Sequence, residues 1–148
     1  MSAIEGSCLC KAVTFAVNAE FEHPPEACHC QQCRKQTGGF FISVNIQKRD
    51  MRLRGDDHVL WYQSSQEVKR GFCGRCGSTL FWQPLKEDYE WIGVSAALFD
   101  SPLPSKIASI HSCRNKAPTT ILLTRYLSTC AIESYLPRAL SSARSETF

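Results

Sequence analysis

The sequence has no apolar run approaching the roughly 18 residues that a membrane-spanning helix needs. Its opening, "MSAIEGSCLC", has neither a basic n-region nor an apolar h-region. These two absences predict a cytoplasmic protein with no membrane partner. The body of the chain also lacks a block of one charge: residues 1–100 carry eleven basic and twelve acidic side chains. The formal net charge of +3 arises in residues 101–148, with six basic against two acidic. A nucleic-acid surface normally shows a clustered basic face, so this balance argues against nucleic acid as a partner. No internal repeat of useful length is present.

Cysteine is plentiful. Nine in 148 residues would suggest a disulfide framework in a secreted domain, but a reducing cytosol and an odd count argue against one. The length fits one ordinary domain, and 43% hydrophobic content is enough to bury a core without cross-links. Metal binding or catalysis is the better use for the thiols. Seven of them fall in three clusters: "GSCLC" (Cys8, Cys10), "CHCQQC" (Cys28, Cys30, Cys33) and "FCGRCGS" (Cys73, Cys76).

Strand signals dominate the rest. "KAVTFAV" alternates, with Val13, Phe15 and Val17 on one face and Ala12, Thr14 and Ala16 on the other. Further strand candidates are 40–46, 58–64, 67–72, 78–83 and 89–96, all rich in aromatic or β-branched residues. The aromatics Phe40, Phe41, Trp61, Phe81, Trp82 and Trp91 are read as core on alternating strands, with one or two walling a pocket. "NAEFEHPPEA" reads as a loop because Pro24 and Pro25 remove backbone donors. Only "CQQCRKQTGG" looks helical, ended by Gly38 and Gly39. After Ser101 only "TTILLTRYL" (119–127) has strand-like composition, and disorder is expected from Leu136 onward.

Seven thiols divide naturally into four, which close a tetrahedral zinc site, and three, which leave one position open. In "CGRCG", Gly74 and Gly77 allow the positive φ angles of a metal-binding knuckle. Spacing alone does not fix which cysteines belong together, although the three-Cys cluster is the obvious candidate for an open site. A redox pair at Cys30 and Cys33 would expect a βαβ context that is missing, and an iron–sulfur cluster is a weaker alternative. His29, flanked by Cys28 and Cys30, is read as a hydrogen-bonding neighbour rather than a ligand. His23, His58 and His111 carry no motif.

The motifs "GSCLCKAVTF", "CHCQQCRKQTGG", "VKRGFCGRCGSTLFW" and "WIGVSAALFDSP" resemble the glutathione-dependent formaldehyde-activating enzymes, which share a zinc domain with centromere protein V. That resemblance implies a mainly β, zinc-binding β-tent fold of short antiparallel strands. It implies two Zn²⁺ ions per chain. A structural one would lie on Cys8, Cys10, Cys73 and Cys76, and a catalytic one on Cys28, Cys30 and Cys33, open to the thiol of glutathione. Residues 1–135 would form this domain, with the match carried by 6–102, an atypical stretch at 103–135, and a disordered tail at 136–148.

Three thiolates on Zn²⁺ leave a formal charge of −1, which damps Lewis acidity and disfavours water activation as the main role. A coordinating thiol still loses its proton. The resulting sulfur can add to formaldehyde or a related small electrophile, and the reverse reaction is that of a carbon–sulfur lyase. Arg34 and Lys35 follow Cys33 and are candidates to attract the carboxylates of glutathione. The rival class is a non-catalytic zinc module that binds a thiol or a protein partner; an incomplete coordination shell favours the enzyme.

Overall fold

The computed structural model describes residues 3–18, 21–103 and 109–111. Internal contacts divide the chain into Met1–Asn115 and Lys116–Phe148, and every described residue lies in the first part. The strand-like stretch at 119–127, the tail from Leu136 and the boundary expected after residue 135 fall outside the described residues, as do Cys113 and Cys130.

In chain order the elements are β1 (Ile4–Ser7), β2 (Thr14–Val17), β3 (Glu26–Cys28), α1 (Gln31–Thr37), β4 (Phe41–Gln47) and β5 (Met51–Arg54). They continue with β6 (Val59–Gln63), β7 (Val68–Cys73), β8 (Thr79–Pro84), β9 (Trp91–Ser95) and β10 (Ser109–His111). One sheet has the order β1-β2-β5, the other β10-β3-β4-β9-β8-β7-β6. The architecture is mainly β, and its ladders are antiparallel as expected except for β10 on β3, which is parallel. The segment read as a loop because of its prolines holds the first two residues of β3, a three-residue strand that begins immediately after Pro25.

The alternation in β2 sets the core. Val13, Phe15 and Val17 are buried while Ala12, Thr14 and Ala16 are half-buried. They join Val44 and Ile46 of β4, Leu80 and Phe81 of β8, and Ile92 and Val94 of β9 in one cluster shared by both sheets. Full burial of each large side chain stabilises the fold by about 1.5–3 kcal/mol. Cys8 and Cys73 belong to the same cluster, so one thiol site is built on the edge of the core. Trp61 departs from the core expectation. It stands on β6, the last strand of the larger sheet, and is 40% exposed, stacked on Phe81 with Lys69 Nζ 4.4 Å from its ring centroid.

Candidate metal centres

The first centre is made by two tight turns. After β1, Val13 N–H donates to Cys8 Sγ at 3.3 Å, and Lys11 adopts a left-handed φ of 59° that turns the chain back into β2. Between β7 and β8, Gly77 has φ 75° and donates to Cys73 O at 2.8 Å, the positive φ anticipated for this knuckle. Gly74 does not have a positive φ. Its lack of a side chain instead admits Leu60, whose Cγ would lie 3.0 Å from a Cβ there. Ser78 Oγ ties the turns together by accepting from Leu9 N–H at 3.0 Å and contacting Cys76 Sγ at 3.2 Å.

The Sγ atoms of Cys8, Cys10, Cys73 and Cys76 all lie within 4.8 Å of one another. Cys8 to Cys10 is 3.6 Å and Cys10 to Cys73 is 3.8 Å. A tetrahedron with Zn–S bonds of about 2.3 Å has edges of about 3.8 Å, so four thiolates with this separation fit a closed zinc site.

The second centre spans the β3–α1 junction. Cys28 ends β3, Cys30 is the N-cap of α1 and Cys33 lies one turn in, so a single helical turn folds the three side chains together. Cys33 N–H points at Cys30 Sγ at 3.5 Å, and Gly38 closes the helix in the left-handed conformation with its N–H on Arg34 O at 2.9 Å. These three Sγ atoms also lie within 4.8 Å of one another. No fourth protein ligand joins them among the described residues. His29 is buried against Phe40, with ring centroids 4.2 Å apart, and is not a member of the cluster.

Proton sharing divides the thiols. A hydrogen bond from Cys33 outweighs burial to pull Cys28 down from 9.0 to about 5, with further help from Cys30 and from the charge of Arg70. Cys33 is pushed well above the thiol range by that same bond to Cys28 and by burial. Without a metal, Cys28 is therefore a thiolate beside Cys33, a thiol that gives up its proton only to a strong competitor such as a metal. In the first centre, Cys76 is lowered to about 5, chiefly by Ser78.

Cys28, Cys30 and Cys33 open onto a cavity of about 350 Å³ walled by Phe41, Trp82 and Tyr89, with Ser43, Asn45 and Glu26 as polar lining. Such a volume is at the lower end for small-ligand sites. Arg34 is half-buried and Lys35 is exposed; neither lines this cavity. Lys35 lines a neighbouring cavity of about 570 Å³ with Gln32, Tyr62 and Phe72, and the two cavities share Arg70. Sequence reasoning missed Arg70. The available signal was a charged residue inside the strand-like "EVKRGF".

The family model described as glutathione-dependent formaldehyde-activating enzyme matches residues 3–116, spanning all three cysteine clusters. The chain belongs to that family. A Halomonas elongata protein, provisionally named a glutathione-dependent formaldehyde-activating enzyme, is 30% identical over 127 residues, covering 78% of this chain and 77% of its own. An uncharacterized lyase of Schizosaccharomyces pombe is 34% identical over 83 residues, covering 55% of this chain and 58% of its own. A crystal structure of a Rhodobacter sphaeroides protein superposes with a TM-score of 0.57 at 25% identity, over 72% of this chain and 99% of that one. Family membership supports an enzyme, and both clusters can hold a metal ion. No helix among the described residues is long and apolar enough to cross a membrane.

Proposed function

We propose that this protein is a zinc-dependent carbon–sulfur lyase that joins glutathione, or a similar thiol, reversibly to formaldehyde or a related small electrophile. The observation that carries this reading is the gathering of Cys28, Cys30 and Cys33, without a fourth protein ligand among the described residues, in the lining of a partly open cavity. Cys8, Cys10, Cys73 and Cys76 would hold a structural zinc and the three-Cys centre a catalytic one. When bound there, zinc supplies a position for an incoming sulfur and favours loss of its proton.

The chain's own residues do the rest. Phe41, Trp82 and Tyr89 surround the three-Cys centre with aromatic surface against which a small carbonyl can rest. Ser43 and Asn45 offer hydrogen bonds to the aldehyde oxygen. The sulfur lone pair forms the new bond to the carbonyl carbon, the C=O π pair moves to oxygen, and that oxygen takes up a proton, equal to the one the thiol lost. The product is an S-hydroxymethyl thiol, and the reverse path breaks the same carbon–sulfur bond. Arg34 and Lys35 are the proposed contacts for the thiol's carboxylates, with Lys35 placed on the adjoining cavity.

Thiols and formaldehyde also combine without a catalyst, so the test is a rate above background. Exchange between glutathione, ¹³C-formaldehyde and their adduct is followed by NMR. The reading predicts an exchange rate proportional to protein concentration and lost in Cys30→Ser. An unchanged background rate at the highest protein concentration would end it as an enzymatic reading.

A further inference from the structure

Arg70 is a cation buried beside the three thiols. It is 4% exposed, and among the described residues no carboxylate forms an ion pair with it. A buried charge costs several kcal/mol unless another charge and good hydrogen bonds compensate it. Its Nε donates to Ser64 Oγ at 3.0 Å and its Nη2 to Gln32 Oε1 at 3.2 Å. Its Nη1 donates to Gln36 Oε1 at 3.0 Å and lies 3.6 Å from Cys33 Sγ. Of these partners only the cysteine belongs to a group that carries negative charge.

The bonds have a mechanical sense as well. Gln32, Cys33 and Gln36 lie on α1, Ser64 follows β6, and Arg70 is on β7, so the guanidinium clamps the helix that carries Cys33 and is capped by Cys30 to the β6–β7 hairpin. A fork with five donors suits this better than an ammonium ion.

We propose that Arg70 is the positioning residue and counter-charge of the three-Cys centre, and that its charge makes an anionic sulfur, rather than a neutral donor, the preferred additional ligand there. The inference rests on the reading under Proposed function. Three thiolates with a divalent ion carry −1, which Arg70 brings to zero. A further thiolate takes the centre to −1 instead of −2. Charge-assisted hydrogen bonds of this kind change an equilibrium by about tenfold or more.

The test uses the full-length chain loaded with cobalt(II) as a spectroscopic probe, as wild type, Arg70→Lys, Arg70→Gln and Arg70→Met. Cobalt per chain and the affinity of its second equivalent are measured against a competing chelator. Glutathione and imidazole are then titrated separately, following the sulfur-to-cobalt band and the visible spectrum. In Arg70→Met the first cobalt is expected to bind as in wild type. The second should weaken by about tenfold or more, and glutathione by a similar factor, while imidazole changes by less than about threefold. Arg70→Lys, which keeps the charge, should recover more of the glutathione affinity than Arg70→Gln.

Equal second-cobalt and glutathione affinities in all four proteins would overturn the inference. So would parallel losses for glutathione and imidazole with Gln and Lys equivalent, since that is the result of a packing role alone. A wild type whose spectrum ignores glutathione would defeat the proposed function instead, and the second-cobalt affinities would then decide the role of Arg70.

Discussion

Replacing Cys73 by serine should cost the fold far more than replacing Cys30 by serine, although each removes one thiol from a candidate metal centre. Cys73 is 1% exposed within the core, and its centre joins positions 63 residues apart. Structural zinc contributes an apparent ~10–16 kcal/mol to small zinc domains near neutral pH, so one ligand in four is worth about 3–4 kcal/mol. A buried hydroxyl short of partners adds about 1–3 kcal/mol. The total, roughly 4–7 kcal/mol, is comparable with the ~5–15 kcal/mol margin of a whole domain.

Cys30 differs on both counts. It is half-buried, its centre spans only six positions, and serine is a favoured residue at a helix N-cap, so the start of α1 survives the change. Thermal unfolding by circular dichroism with elemental analysis is the assay. Cys73→Ser should melt at least about 10 °C lower or fail to fold, and Cys30→Ser should lose one metal with a fall under about 5 °C. Equal melting temperatures, or a more stable Cys73→Ser, would refute the division of labour between the two centres.

Metal affinity at the three-Cys centre should rise with pH. Between about pH 6 and 8 the Cys28 thiol, lowered to about 5, has lost its proton, while Cys33 keeps one that binding must expel; each expelled proton means a gain of about tenfold per unit, so affinity should rise at least that steeply. Chelator competition across that range checks it, and a flat profile would contradict it. Gly55→Ala should destabilise by about 1–3 kcal/mol or more, because Gly55 has φ +72° and a Cβ would lie 1.9 Å from Ala12 O. A melting temperature unchanged by that substitution would show the turn to be unconstrained. Lys35→Ala should weaken glutathione binding by about fivefold at most, since exposed ion pairs are worth ~0.2–1 kcal/mol. A loss of a hundredfold by calorimetry would make Lys35 a buried anchor in the complex.

The strands legible in the sequence were those with an apolar side to bury. The Val13-Phe15-Val17 alternation announces each residue's fate by its parity, whereas the aromatic runs of β8 and β9 announce a strand but not its faces, since adjacent Leu80 and Phe81 are both buried and so are Ile92 to Ser95. Those missed are short and lack that contrast. β1 is "IEGS", with Gly6 at its buried position; β5 is "MRLR", only half-buried; and β3 is defined by its pairing with β4 rather than by its composition. The clusters were legible because thiols within two or three positions cannot be far apart once a turn or a helix start forms. The cavity was not, because its walls come from β3, α1, β4, β7 and β8, and only the register of distant strands brings them together. Arg70 was missed for the same reason. An arginine in a strand reads as solvated until a helix 34 to 38 residues away in sequence is docked over it.

The most direct test of the account is metal content per chain on purified protein, with and without glutathione, together with X-ray absorption at the zinc edge. The account predicts two zinc ions and an increase in the average sulfur coordination when glutathione is added, from one ion gaining a ligand. A single zinc whose spectrum ignores glutathione would contradict it, leaving a metal-stabilised fold without a thiol-binding centre.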